Sequence, residues 1–423
     1  MTPCHVVGMS GRASSVASAP AEPAQQPAST RIQIILILSI AVAARLVYWN
    51  MRPPDMDDFL EPWFAHIVHY GPVGAFAHPF SNYEPAYLYL LALGSLAHGF
   101  LAPMTIIKMI SVAGTLFLTT AFAAVLKSAD VDRRGALLLL VLPSIVINDA
   151  LLGQCDALWA GACLFGLAAM IRGQTLRAMI WCGVAIAFKM QAAFIAPVMI
   201  GAMIGRRAPW WQWSIPAAVF LASVIPPWIL GWPLIKLLTV YAGQASLDQI
   251  AGRLSNPWMF GTVFAEHGSR SWFMIGYVAA GAAAAVIAAL AARNPRDPRL
   301  LILLAALAGT ALPFLLPKML ERYYFLGDVM TLALALSWRC RPAAIAVGAV
   351  QVASMLAHIT YMYFFFNPWP TLVGAGCAAV GLVAMCQLAA PSFGAMAADL
   401  RSLMGRKASP GCAAVAPSST QLQ

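Results

Sequence analysis

The sequence predicts an all-α polytopic integral membrane protein. We expect about ten transmembrane helices, a broken re-entrant hairpin, and a long first outer loop with interfacial helices. Of the 423 residues, 61% are hydrophobic and only 10% are charged, whereas soluble domains contain about 45–50% apolar and about 25% charged residues. The apolar residues form long runs, and a helix that spans a bilayer needs about 20 of them. This composition excludes a soluble enzyme, a disordered protein and a disulfide scaffold.

Both ends of the chain have the composition of tails. Residues 1–31 are rich in Ala, Pro and Ser and contain almost no large apolar side chains, which is typical of disorder. We expect residues 391–423 to be a second disordered tail. The segments between the tails that predict helices are the apolar runs 32–50, 85–102, 104–126, 135–152, 157–171, 178–205, 210–233, 272–292, 300–316, 323–338, 342–361 and 371–390.

The charged residues predict the orientation in the membrane. Basic residues cluster between the apolar runs, as they do in cytoplasmic loops. If these clusters are cytoplasmic, 17 of the 26 Lys and Arg residues lie in the cytoplasm, and so do both termini. The same topology leaves 11 of the 16 acidic residues outside or at membrane depth. Since acidic residues contribute little to orientation, their asymmetry indicates a function on the outer face. The net charge of +10 therefore does not indicate a nucleic-acid partner.

This topology has two consequences. Residues 51–103 must stay outside, so the apolar piece 85–102 is interpreted as a helix in the outer interface. Arg177 and Arg206 both lie inside although 28 residues separate them, and two crossings need about 40, so 178–205 is interpreted as the broken hairpin. The chain divides into a catalytic module, 32–205 with outer loop 51–103, and a C-terminal module, 206–390 with outer loop 234–271.

An acidic cluster opens the first outer loop. Asp55, Asp57, Asp58 and Glu61 supply four carboxylates within seven residues. Carboxylates this close suit a metal site or a general base with tuned neighbours. A solvated acidic loop that caps a helix over 62–69 is the alternative.

Further polar residues interrupt the apolar runs. Gln154 and Asp156 lie where one run ends and the next begins, and Asp156 is also placed to cap a helix. Lys189 lies near the middle of the predicted hairpin, where a lysine costs about 2.5–3.5 kcal/mol and needs a partner. Lys318 and Arg322 flank Glu321, either as snorkelling residues or as a phosphate clamp.

In this order, these segments resemble the GT-C superfamily of membrane glycosyltransferases, above all the bacterial relatives of the second GPI mannosyltransferase. The similarity covers roughly residues 45–335. The family's five motifs match here at Asp55–Trp63 (D-x-x-x-F-L-x-P-W), 82–91 (N-Y-x-P-x-Y-L-Y-L-L), Gly153–Asp156 (G-Q-x-D), Lys189–Gln191 (K-x-Q) and Lys318–Phe325, which is similar to K-x-H-E-R-Y-F. Leu320 stands where the last motif has histidine.

The resemblance implies a transferase of the bacterial inner membrane, working on the periplasmic face. It would move a sugar, expected to be a hexose such as mannose, from a polyprenyl-phosphate carrier to a hydroxyl of a glycan, lipid or protein, with inversion. A divalent metal is compatible with the aspartates, but the cations make it dispensable, and no cofactor is predicted. The expected catalytic residues are Asp55 and Asp156, the supporting acids Asp57, Asp58 and Glu84, the phosphate-binding cations Lys189, Lys318 and Arg322, and the substrate-binding residues Trp63, Tyr83, Gln154, Gln191, Glu321 and Tyr323.

Two other functions remain open from the sequence. A transporter or flippase of a lipid-linked saccharide would also need an outer polar cavity and intramembrane charges. A non-catalytic subunit of a polysaccharide assembly system would fit the loss of the histidine at Leu320. The loop 234–271 is expected either to cover the active site or to be an ordinary solvated loop, and its chemical groups are Asp248, Arg253, Asn256, Trp258, Glu266 and His267.

Overall fold

The computed structural model describes residues 28–240, 253–264, 270–363 and 367–407, and within these ranges the chain is helical throughout, without a β-strand. The α-helices are α1 (Ala28–Tyr48), α2 (Glu61–Tyr70), α3 (Pro85–Ser95), α4 (Pro103–Ser128), α5 (Pro143–Val146), α6 (Asp156–Ile171), α7 (Thr175–Phe188), α8 (Ala196–Gly205), α9 (Ile215–Leu230), α10 (Leu234–Leu238), α11 (Trp258–Phe264), α12 (Arg270–Arg293), α13 (Pro298–Leu315), α14 (Phe325–Trp338), α15 (Arg341–Tyr363) and α16 (Trp369–Lys407). Tighter or wider helical turns occupy Met56–Leu60, Gly74–Ala77, Arg133–Val141, Ile147–Leu151, Met190–Ile195 and Trp210–Ser214.

The structure confirms the predicted polytopic membrane architecture. In the described part of the chain, seven helices are long and apolar enough to cross a membrane, or eight if the bent pair Arg133–Val141 and Pro143–Leu151 is one span. The predicted number of ten also counted shorter helices. Two of these, α6 and α14, have 16 and 14 residues, and at about 1.5 Å per residue they measure only about 21–24 Å.

The hairpin is broken where the sequence predicted it. Helix α7 ends at Phe188, Lys189 is extended with φ −158° and ψ 144°, and the chain resumes as a tight turn before α8. The outer interfacial segment is shorter than predicted, because α3 ends at Ser95. The helices extend into both segments that were predicted to be tails: α1 starts at Ala28, and α16 continues to Lys407. Within α16, Asp399 forms an ion pair with Arg293.

The core of the bundle consists of α6, α13 and α14 together with α4. Glycines let α13 and α14 approach closely: a Cβ added at Gly309 would lie 2.7 Å from the backbone nitrogen of Gly327. Small residues serve this purpose in membrane bundles, where packing rather than the hydrophobic effect holds helices together.

Two buried cations fix the end of α1 that leads into the first loop. Arg45 donates to Asp149 at 2.7 Å and to the Leu140 carbonyl at 2.8 Å. Lys108, fully buried on α4, donates to the carbonyls of Tyr48, Trp49 and Met51 at 3.2, 2.7 and 2.7 Å. A cation at a helix C-terminus satisfies carbonyls that lack intrahelical partners. The position at which the chain enters the acidic loop is thereby set.

Candidate active site

A polar cavity of about 270 Å³ lies where the first loop packs on the bundle. It is formed by the first loop, the break before α6, the hairpin break, the 317–324 connection and the end of α15. The lining contains most of the residues that the sequence predicted, namely Asp55, Trp63, Tyr83, Glu84, Gln154, Lys189, Gln191, Lys318, Glu321, Arg322 and Tyr323.

Asp55 is the accessible carboxylate of this cavity. Tyr361 on α15 donates from its hydroxyl to Asp55 Oδ1 at 2.8 Å and accepts the Asp55 backbone N–H at 3.2 Å. Gln154 Nε2 donates to Oδ2 at 2.8 Å, and Arg322 Nη1 lies 3.1 Å from the same oxygen. The Asp55 side chain keeps 16% of its surface exposed, so it is oriented by donors and still reaches the cavity.

The turn at Gly153 brings Gln154 to Asp55. Gly153 has φ +65°, which L-residues rarely adopt, and an added Cβ would lie 2.9 Å from Met56 Cε. The positive φ therefore favours glycine at this turn, whereas the terminal methyl of Met56 could move aside. The first two residues of the G-Q-x-D motif thus position the amide that holds Asp55.

Asp156 lies behind the cavity wall instead of lining it. It accepts from Lys189 Nζ at 2.8 Å, from Trp159 Nε1 at 2.8 Å and from Asn148 Nδ2 at 2.9 Å. Its side chain is 2% exposed and that of Lys189 is 5% exposed. The pair supplies the partner that the sequence predicted for an intramembrane lysine, and Asp156 holds Lys189 at the cavity edge.

Arg322 lies among three carboxylates. Its Nη1 donates to Glu321 Oε1 at 2.6 Å and lies 3.1 Å from Asp55, while Nε lies 3.9 Å from Asp156 Oδ2. Burial lowers the pKa of Arg322, but the charges of Asp55 and Glu321 outweigh burial and raise it above its ordinary value. The guanidinium therefore remains charged.

Glu84 is another carboxylate of the lining, and its environment is different from that of Asp55. It is fully buried, and neither carboxylate oxygen has a hydrogen-bond partner among the described residues. Burial raises the pKa of Glu84 to about 8. Near neutral pH the group is therefore mostly protonated and can donate a hydrogen bond.

Aromatic side chains form one wall. The rings of Trp63 and Tyr83 lie 4.9 Å apart, and Lys189 Nζ is 4.8 Å from the centre of the Tyr83 ring. The Tyr83 hydroxyl donates to Gln154 Oε1 at 3.0 Å. Such a wall can stack on the apolar face of a sugar.

A second, apolar cavity of about 690 Å³ adjoins the first between α8, α12 and α13. The two cavities share Gln191, Lys318 and Tyr323. On α12 its wall consists of small residues apart from Tyr277, and an added Cβ at Gly281 would meet nothing within 4 Å. Lys318, with the unusual φ of +63°, lies at the junction. Strained backbone of this kind is concentrated at functional sites.

Some predicted residues are not brought into the cavity. Asp57 is exposed and pairs with Arg52 at 2.6 Å, and Asp58 is exposed. In the outer loop 234–271, Arg253 lines the cavity and forms an isolated antiparallel bridge with Leu320. Asn256 and Trp258 bind the end of α13, through Pro313, Leu316 and Leu315. Asp248, Glu266 and His267 lie outside the described residues.

Tyr361 is the functional residue that sequence reasoning missed. It lies 306 residues from Asp55 in the chain. A sequence pattern could have indicated it. An apolar helix carries a stripe of polar residues at a spacing of three or four, namely Gln351, Ser354, His358 and Tyr361. All four are buried. Among the described residues, no group of three His, Cys, Asp or Glu side chains is placed to hold a metal ion.

No protein-family model matches the sequence, and no curated protein matches it. Two solved structures of ArnT from Cupriavidus metallidurans share 16% sequence identity with the chain, covering 91% of it and 82% of ArnT. The structure bound to undecaprenyl phosphate gives a TM-score of 0.49, and the apo structure gives 0.43. At these scores and this identity, the function must be argued from the site's own residues.

Proposed function

We propose that the chain is a membrane glycosyltransferase that moves a sugar from a polyprenyl-phosphate carrier to an acceptor hydroxyl. The observation that carries the proposal is the junction of the two cavities at Lys318. A polar cavity with one accessible carboxylate and three predicted cations continues there into an apolar cavity of about 690 Å³. A ligand with a charged sugar-phosphate head and an isoprenoid tail would match both halves.

Asp55 is the general base in this proposal. The acceptor oxygen attacks the anomeric carbon, its proton passes to Asp55, and the bond from that carbon to the phosphate oxygen breaks. The electron pair leaves with the polyprenyl phosphate, and a single displacement inverts the anomeric centre. Because Tyr361 and Gln154 fix the carboxylate, the base needs no reorganisation when the hydroxyl arrives.

The cations stabilise the leaving phosphate. Lys318 lies where head and tail would meet, Arg322 offers a planar fork for phosphate oxygens, and Lys189 is held in place by Asp156. Preorganised charges aimed at developing negative charge are among the strongest contributions to catalysis. The protonated Glu84 and the Trp63 and Tyr83 rings would contact the sugar, with Gln191, Glu321 and Tyr323 near the phosphate.

The finer assignments belong to the same proposal. The motif resemblance favours a hexose such as mannose, and a glycan, lipid or protein acceptor at the periplasmic face of a bacterial inner membrane. Asp57 and Asp58 would support catalysis only through the electrostatic potential that their charges create at the cavity, because both side chains are exposed.

The test is turnover in lipid. The purified protein is incubated with a panel of radiolabelled polyprenyl-phosphate sugars and candidate acceptors, and release of polyprenyl phosphate is measured. We expect turnover with one donor, its loss in Asp55→Asn, and its retention in Glu61→Gln, which removes a carboxylate that pairs with Arg52. Turnover that survives Asp55→Asn would contradict the role of Asp55. Absence of turnover with every donor, together with saccharide-lipid movement across the bilayer, would favour the transporter.

A further inference from the structure

Arg322 and Asp55, which the proposed function assigns to opposite tasks, contact each other. The base must accept a proton from the acceptor, and the guanidinium must hold the donor phosphate. Yet Arg322 Nη1 lies 3.1 Å from Asp55 Oδ2. Oδ2 also accepts from Gln154 at 2.8 Å. The guanidinium charge therefore lies directly beside the carboxylate oxygen and stabilises its negative charge.

The hydrogen bonding of Arg322 is incomplete on its other edge. Its Nη1 serves both Glu321 and Asp55, at 2.6 and 3.1 Å. Its Nε is buried and has no hydrogen-bond partner among the described residues. A buried donor without a hydrogen bond is costly, even with Asp156 Oδ2 at 3.9 Å, and a phosphate oxygen would satisfy it. The longer of the two Nη1 contacts, that with Asp55, is the one an incoming anion would weaken first.

We propose that Asp55 and the donor phosphate compete for Arg322, so that binding of the donor strengthens Asp55 as a base. In the resting site, Arg322 is shared between Glu321 and Asp55. The phosphate takes the fork of Arg322 and draws it from Asp55, so that the negative charge of the carboxylate is left to attract the acceptor proton. Tyr361 and Gln154 continue to orient the carboxylate. This inference rests on the proposed function and names the order of events at the same site.

The order protects the reactive donor. A carboxylate that is paired with Arg322 until the phosphate arrives takes a proton less readily in an empty site, and it becomes the stronger base when the anomeric carbon is in place. The device uses one ion pair and needs no movement of a helix. It predicts that removing the catalytic carboxylate strengthens donor binding while abolishing turnover.

The experiment measures the affinity of undecaprenyl phosphate for the purified full-length protein in nanodiscs, by native mass spectrometry. We expect Asp55→Asn to bind about tenfold more tightly than the wild type, which corresponds to about 1.4 kcal/mol. Glu61→Gln removes one negative charge from the same loop but from a partner of Arg52, and should leave the affinity unchanged. If Asp55→Asn does not keep the wild-type melting temperature, Asp55→Ser replaces it.

A double-mutant cycle separates competition from simple charge repulsion. In an Arg322→Gln background, the competition predicts that Asp55→Asn no longer increases the affinity. A gain that persists there would overturn the inference, as would an Asp55→Asn protein that binds no more tightly than the wild type. Failure of the wild type to bind undecaprenyl phosphate would overturn both the donor class in the proposed function and this inference. Binding by the wild type with no effect of Asp55→Asn would overturn the inference alone.

Discussion

The Asp156–Lys189 pair offers the sharpest test of how the site is built. Asp156→Asn keeps the shape of the side chain and removes its charge. The ammonium of Lys189, 5% exposed, then faces only neutral acceptors, namely the amide oxygen of the substituted side chain and Gln154 Oε1 at 3.4 Å. Removing one member of a buried pair costs about 3–5 kcal/mol, because the other charge stays buried. The exposed Asp57–Arg52 pair, 54% and 47% exposed, is expected to contribute at most about 1 kcal/mol.

The measurement is the free energy of unfolding in detergent, taken from denaturant titrations of the wild type, Asp156→Asn and the control Asp57→Asn. A double variant, Asp156→Leu with Lys189→Met, removes both charges and should recover much of the loss, since apolar groups often replace a buried pair at little cost. It should remain inactive. A loss below about 1 kcal/mol in Asp156→Asn, equal to that of the exposed control, would refute the buried pair.

Three further outcomes are expected. Burial raises the pKa of Glu84 from 4.5 to about 8, so between these pH values the folded state retains a proton that the unfolded state has lost. The free energy of unfolding should therefore fall as pH rises through this range. Glu84→Gln should remove this slope, and an unchanged slope would contradict the buried, protonated state of Glu84. Tyr361→Phe removes a hydrogen bond to Asp55 and should lower kcat by about 10- to 100-fold. This corresponds to about 1.5–3 kcal/mol for a hydrogen bond to a charged group. A variant that turns over at the wild-type rate would show that the tyrosine is dispensable. Gly281→Leu fills open space in the apolar cavity. It should raise KM for long-chain donors but not for donors with a single isoprene unit. An equal effect on both kinds of donor would argue against an isoprenoid tail in this cavity.

The positions of the apolar runs and of the hairpin break could be predicted from the sequence, because both depend on local patterns. The distance between Arg177 and Arg206 was too short for two crossings, and the structure breaks the helix at Lys189. The number of crossings was less predictable. Helices α6 and α14 are buried in the bundle, so their length is set by neighbouring helices rather than by the bilayer.

The members of the site were more predictable than their partners. Short motifs identified Asp55, Gln154, Lys189 and Arg322, but no local pattern shows which acid faces which cation. Asp156 was expected beside the acceptor and lies behind Lys189 instead. A contact such as Tyr361 with Asp55 joins residues 306 positions apart. Charge pairing could not have located Lys108, because its ammonium binds three backbone carbonyls at the end of α1.

The charge balance of the cavity connects these contacts to the reaction. Four cations line it, namely Arg253, Lys189, Lys318 and Arg322. Asp55, Glu321 and the buried Asp156 offset three of them, and Glu84 is mostly neutral near pH 7 because its pKa is about 8. Among the described side chains of the site, cations therefore outnumber ionised carboxylates by one, and the proposed phosphodiester donor carries a single negative charge. The released phosphate monoester carries between one and two negative charges near pH 7, so the site should hold the product carrier more tightly than the donor. Once Asp55 has released the acceptor proton to water, return of Arg322 to its carboxylate would weaken the binding of the product carrier and help it to leave.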